Sequence, residues 1–148
     1  MIAEEIYLDP SALARLYLHQ AGSREMVAWR RRVNGALPVT HHGRTEVINA
    51  IASALFRDEI SPSECELAYD YFDADFTNGL LARADVLWRA ALNRAAALSR
   101  THTPTLGTRA SDVLHVACAL ELGTRQFLTF DERQGKLAAA VGMKMISV

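Results

Sequence analysis

Short apolar runs alternate along the chain with longer stretches whose apolar residues recur every three or four positions. Ile6-Tyr7-Leu8 reads as a buried strand. Asp9 follows as a helix N-cap, with Pro10 at the first helical position, where a missing N–H is no loss. Ala12, Leu13, Leu16 and Tyr17 continue at helical spacing. Gly22-Ser23 opens a second helix to about Val33, Asn34-Gly35 breaks it, and Leu37 to Thr40 reads as a strand. A helix from about His41 to Arg57 has Val47, Ile48, Ile51 and Leu55 on its core face. Ser61-Pro62-Ser63-Glu64 has the form of a capping box, and the helix it begins carries Cys65, Ala68, Tyr69, Phe72 and Phe76 on one side before Asn78-Gly79.

The second half repeats the alternation. Leu80 to Ala82 is a short strand, Asp85 to about Ser99 an alanine-rich helix, and Thr101 to Thr108 a loop holding Pro104 and Gly107. A helix from Arg109 to Leu122 stops at Gly123. Gln126 to Thr129 is then a strand, Asp131 to Val141 a helix and Lys144 to Ile146 a last strand. Strands alternating with helices predict an α/β fold with a parallel sheet covered on both sides.

With 148 residues the chain is expected to form a single domain over 1–148. Its 16 basic and 17 acidic side chains give a net charge of −1, which excludes a general basic coat for nucleic acid and leaves only local patches. Lys136 and Lys144 are the only lysines, so those patches are arginine. Cys65 and Cys118 stand in no zinc or CxxC spacing, which fits a reducing cytoplasm. Asp9 and Arg15 interrupt the first apolar stretch, so it does not read as a leader, and no apolar run approaches the ~18 residues that cross a membrane.

Four carboxylates carry the candidate chemistry. Asp9 and Asp131 each stand where a strand hands over to a helix, the edge at which open parallel sheets bind ligands. Asp112 lies on a helix that is apolar almost all round, sharing a face with Val116 and Ala119. A carboxylate buried there needs a partner, whether an arginine, a hydroxyl or a metal. Glu46 shares a face with Asn49, Ala50 and Ser53, off the apolar stripe; on its own it reads as a solvated glutamate.

Y-L-D-P-S-A-L at 7–13, T-E-V-I-N-A at 45–50, R-A-S-D-V-L-H-V-A-C-A at 109–119 and F-L-T-F-D-E-R at 127–133 together resemble a PIN domain. More narrowly, the chain resembles a VapC-type ribonuclease toxin of a toxin–antitoxin pair. That resemblance implies a PIN-like α/β/α sandwich with a small central parallel sheet. It also implies that Asp9, Glu46, Asp112 and Asp131 hold Mg²⁺ or Mn²⁺, with Ser11 and Thr129 as supporting hydroxyls. Pro10 stands where the family often has a second hydroxyl. The implied reaction is hydrolysis of RNA phosphodiesters to a 3′-hydroxyl and a 5′-phosphate. The implied partners are a small antitoxin and a second copy of the chain.

Arg109, Arg15 and Arg44 each lie within a turn or two of a candidate acid, placed to hold substrate phosphate or to pair with the acids. Arg30-Arg31-Arg32 ends a helix, which suits its dipole and a solvated face. His115 reads as a buried histidine bonded to a carbonyl, and Cys118 as core filling, with an Asp112-His115-Cys118 metal site as the sharper alternative. His42 and Glu46, four apart, could also share a metal. Two other classes compete. A receiver-type signalling domain would need a lysine after its last strand, whereas Lys144 comes before Met145-Ile146. A non-catalytic PIN-like binding module would keep the fold without all four acids.

Overall fold

A computed structural model describes residues 1–148. A short 3₁₀ turn leads into β1 (Ile6–Leu8), α1 (Pro10–Ala14), α2 (Ser23–Arg30), β2 (Leu37–Thr40), α3 (His41–Phe56) and α4 (Pro62–Thr77). β3 (Leu81–Ala84), α5 (Trp88–Leu106), α6 (Ala110–Glu121), β4 (Gln126–Leu128), α7 (Glu132–Ala140) and β5 (Lys144–Met145) complete the chain.

All strand pairs are parallel. β1 pairs with β4, placing Tyr7 opposite Phe127, and β4 pairs with β5. β2 pairs with β3 in a separate ladder. β1 and β2 lie side by side, but their link is made one segment earlier: the Ala3 N–H donates to the Asn34 carbonyl at 2.9 Å. The single sheet expected from the sequence is therefore split between β1 and β2. Its strands still run β3-β2-β1-β4-β5, with every carboxyl end on one edge.

Both faces are covered, and the strand residues divide between them by the two-residue period of β structure. Ile6, Leu8 and Leu128 point into one core with Trp29, Ile51 and Phe72. Tyr7 and Phe127 point into the other with Val116, Ala119 and Leu137. Strands buried on both faces must be apolar throughout, as Ile6-Tyr7-Leu8 is.

The helix starts follow the expected chemistry. The Asp9 side chain accepts from Ser11 N–H with Pro10 next to it, and Ser61 and Glu64 form the reciprocal capping box. Three elements differ in their bounds, the first being β3, which covers Leu81–Ala84 instead of Leu80 to Ala82. α2 stops at Arg30, whose guanidinium donates to the carbonyls of Val33, Gly35 and Leu80 and so ties the following turn to β3. α5 starts three residues later than expected and continues through 101–106 instead of giving way to a loop. Pro104 sits in its last turn, where the missing N–H forfeits one bond to the Arg100 carbonyl. Gly107, at φ 66°, then caps the helix by donating to Thr103 O at 2.8 Å. Packing along α6 outweighs the single lost bond.

Candidate functional site

Three aspartates meet at the carboxyl ends of β1 and β4. Asp9 ends β1 and is nearly buried. Its Oδ2 accepts from the Ser11 N–H at 3.0 Å, which fixes the carboxylate over the start of α1. Asp131 caps α7 by accepting from the Gln134 N–H at 2.9 Å. Asp112 lies in the first turn of α6, where a negative charge is favoured by the helix dipole. Burial lifts the Asp112 carboxyl above its ordinary range, the negative charges of Asp9 and Asp131 add to this, and Arg109 partly offsets it.

Arg109 meets the partner requirement read from the sequence. Its Nε lies 3.2 Å from Asp112 Oδ2 and a terminal nitrogen lies 3.7 Å from Asp131 Oδ2. The side chain is 80% exposed, so it is free to turn from the acids to an incoming anion. With Arg133, Asp112 and Asp131 it lines a polar cleft of about 430 Å³.

The supporting hydroxyls form a short relay behind the acids. Thr129 Oγ1 accepts from the Asp131 N–H at 3.0 Å and lies 3.5 Å from Ser11 Oγ, which accepts from the Phe130 N–H. Thr129 donates to Gln134 Oε1 at 2.6 Å. Gln134, which sequence reasoning did not single out, is fully buried. Its amide donates to Asp9 Oδ1 at 2.9 Å and to the Asp112 carbonyl at 3.0 Å. One side chain thus joins the ends of β1, α6 and β4. The available signal was the Asp131-x-x-Gln134 spacing, which is that of a capping box. The N–H that Gln134 would normally take in such a box is already held by Thr129, leaving the amide for the acids.

The other expected residues are placed differently. Glu46 is not the solvated glutamate its helix face suggested. Its Oε1 accepts from Ser111 Oγ at 2.5 Å and lies 2.7 Å from His42 Nε2, while Oε2 lies 3.2 Å from His115 Nε2. Burial alone would raise this carboxyl; the close approach of His115, the Ser111 hydrogen bond and the nearby His42 ring outweigh it and pull it down to about 2. Nδ1 of His115 meets the Tyr7 hydroxyl at 2.7 Å, in place of the expected carbonyl, because Tyr7 projects from β1 to the same face as α6. Cys118 is core filling, as read. Arg15 donates to the carbonyls of Ala21 and Ser11 and stacks 3.9 Å above the Phe130 ring, so its guanidinium is committed locally. Arg44 faces α4, 3.6 Å from Asp73, and points away from the aspartates.

An oxygen-only set of three carboxylates, one of them reluctant to ionise, is suited to a hard divalent cation such as Mg²⁺ or Mn²⁺. No helix is long and apolar enough to cross a membrane.

The family model described as PIN domain matches residues 6–140, and the chain belongs to that family. Among solved structures the fold is similar to the crystal structure of FitAcB from Neisseria gonorrhoeae, with a TM-score of 0.60 and 15% identity over 96% of each chain. The sequence finds no significant match among curated proteins.

Proposed function

We propose that the protein is a metal-dependent endoribonuclease, acting as the toxin of a toxin–antitoxin pair of the VapC type. The observation that carries the reading is the convergence of Asp9, Asp112 and Asp131 at one edge of the sheet within a PIN domain, the last two lining a cleft with the exposed Arg109. Glu46 is the fourth acid of the resemblance and borders this group through Ser111, the neighbour of Asp112.

When bound, Mg²⁺ or Mn²⁺ would lower the pKa of a water and neutralise charge developing on the phosphodiester. The protein's own groups have distinct tasks. Asp9 is held in one orientation by Ser11 and Gln134, beside Asp112. Asp131 is fixed by α7 and Thr129. Arg109 releases the carboxylates and takes the substrate phosphate, the role its exposure allows. The net charge of −1 gives little general attraction to RNA, so selectivity rests on a single-stranded or loop target of defined shape. A small antitoxin protein and a second copy of the chain are the partners this reading brings, in the cytoplasm.

The test is cleavage of structured RNA by metal-stripped protein with and without added Mg²⁺ or Mn²⁺, with cut sites mapped. Metal-dependent cuts at a few loop positions, absent in Asp112→Asn, are expected. Cleavage by folded Asp112→Asn at the wild-type rate would overturn the assignment, and failure of any RNA to be cut would favour a binding module with the same fold.

A further inference from the structure

The second cluster of chemistry-bearing side chains joins α3 to α6. His42 and Glu46 sit one turn apart on α3, and His115 reaches them from α6. Their candidate ligand atoms all lie within 4.8 Å of one another. His115 is fully buried, and although its Nε2 is 3.2 Å from Glu46 Oε2, that nitrogen has no hydrogen-bond partner. A buried polar atom in that state calls for an explanation, and a place for a bound ion is one of the standard ones.

We propose that His42 Nε2, the Glu46 carboxylate and His115 Nε2 bind one transition-metal ion of the Zn²⁺ class, at a site separate from the aspartate cleft. The donor set decides the metal. Imidazole nitrogens favour Zn²⁺ or Co²⁺, whereas the oxygen-only aspartates favour Mg²⁺ or Mn²⁺. Two histidines and one glutamate are a common three-ligand set for zinc, with the fourth position open to water. Ligands about 2.1 Å from a tetrahedral ion stand about 3.4 Å apart. The observed 2.7 and 3.2 Å separations are shorter than this, so Glu46 moves outward on binding, while the two histidine nitrogens, within 4.8 Å of each other, close on the ion.

The surroundings of the ligands match those of metal-bound histidines, whose second ring nitrogen is usually held by a hydrogen-bond partner. With metal on Nε2, the proton of His115 sits on Nδ1 and is donated to the Tyr7 oxygen 2.7 Å away. Tyr7 is itself buried, on the strand face that meets α6, so this oxygen is held in place beside the ring. Ser111 holds Glu46 through the oxygen that meets His42, and lies 3.3 Å from His42 Nε2. His42 and Glu46 are each about one-third exposed, so an ion reaches the site from solvent without unfolding. Binding would clamp α3 to α6 at His115, one turn after Asp112.

Titration of metal-stripped, full-length protein with Co²⁺, followed by visible absorption, tests the proposal independently of nuclease activity. The expected result is a d–d band that saturates at one equivalent, persists in excess Mg²⁺ and is displaced by Zn²⁺. His42→Ala, at a partly exposed position, should weaken binding about tenfold or more. Glu46→Gln serves as a second ligand variant, with circular dichroism confirming its fold. The double variant Asp9→Asn/Asp112→Asn should keep the band. A band indifferent to both His42→Ala and Glu46→Gln, or one lost with the aspartates, would overturn the site. Absence of Mg²⁺-dependent RNA cleavage alongside an intact Co²⁺ band would count against the nuclease reading and leave this one standing.

Discussion

The Gln134 amide donates to Asp9 Oδ1 at 2.9 Å across 125 positions of sequence. The same amide bonds the Asp112 carbonyl, and its oxygen accepts from Thr129. A neutral side chain with two donors and an acceptor satisfies three groups that otherwise face each other in a buried space. Gln134 is therefore a positioning residue for the aspartates.

Gln134→Leu leaves Asp9, Thr129 and the Asp112 carbonyl short of a partner. Unsatisfied buried polar groups cost about 1–3 kcal/mol each, softened here by water entering the cleft. A net loss of about 2–4 kcal/mol is expected, read as a lower midpoint in denaturant. Gln134→Glu should be worse without metal, because it adds a carboxylate beside Asp9, and should be rescued in part by millimolar Mg²⁺. Equal melting of the two variants in Mg²⁺-free buffer would contradict the positioning role.

Asp112→Asn tests the strain among the acids. A folded-state pKa above the ordinary value means that ionisation opposes folding, so this contribution is absent at low pH and grows as pH rises through the carboxyl range. At neutral pH and without metal, Asp112→Asn should be at least as stable as the wild type. In millimolar Mg²⁺ the order should reverse, because a ligand that binds the folded wild type stabilises it. Thermal melts at pH 4 and pH 7, with and without Mg²⁺, measure both effects.

Glu46 has the opposite sign. Its carboxyl falls from 4.5 to about 2 in the fold, so it contributes stability above pH 4.5 that is lost as pH falls towards 2. The full shift would correspond to about 3.4 kcal/mol, and exposure of a third of the side chain reduces this to about 1–2 kcal/mol. Glu46→Gln should lose that amount at neutral pH, with the gap to wild type closing below pH 4.5. A gap of the same size at pH 3 and pH 7 would show that packing, not charge, is responsible.

Arg109→Ala separates a substrate role from a structural one. The ion pairs are exposed on the arginine side, so the stability change should stay below about 1 kcal/mol. Single-turnover RNA cleavage should slow by about tenfold, and the salt dependence of RNA binding should lose about one unit of slope. A large drop in melting temperature with unchanged cleavage would make Arg109 a strut of the metal-free site.

Local chemistry made much of the fold readable in sequence. Ile6-Tyr7-Leu8 must be a strand buried on both faces, Asp9-Pro10 must start a helix, and Ser61 to Glu64 closes its own capping box, because each depends on neighbours within four residues. The positions of Asp9 and Asp131 after parallel strands, and the apolar helix around Asp112, pointed to the same edge of the sheet. What the sequence did not determine depends on distant partners. α5 persists through Pro104 because α6 packs along it, and no local rule weighs that contact against a lost hydrogen bond. Arg44 turns to Asp73 because α4 crosses α3 on that side. Gln134 meets Asp9, and Glu46 meets His115, only once α6 and α7 have docked on the strands. A side chain's place on its own helix is set by the 3.6-residue period, but which group it faces is set by how the helices pack.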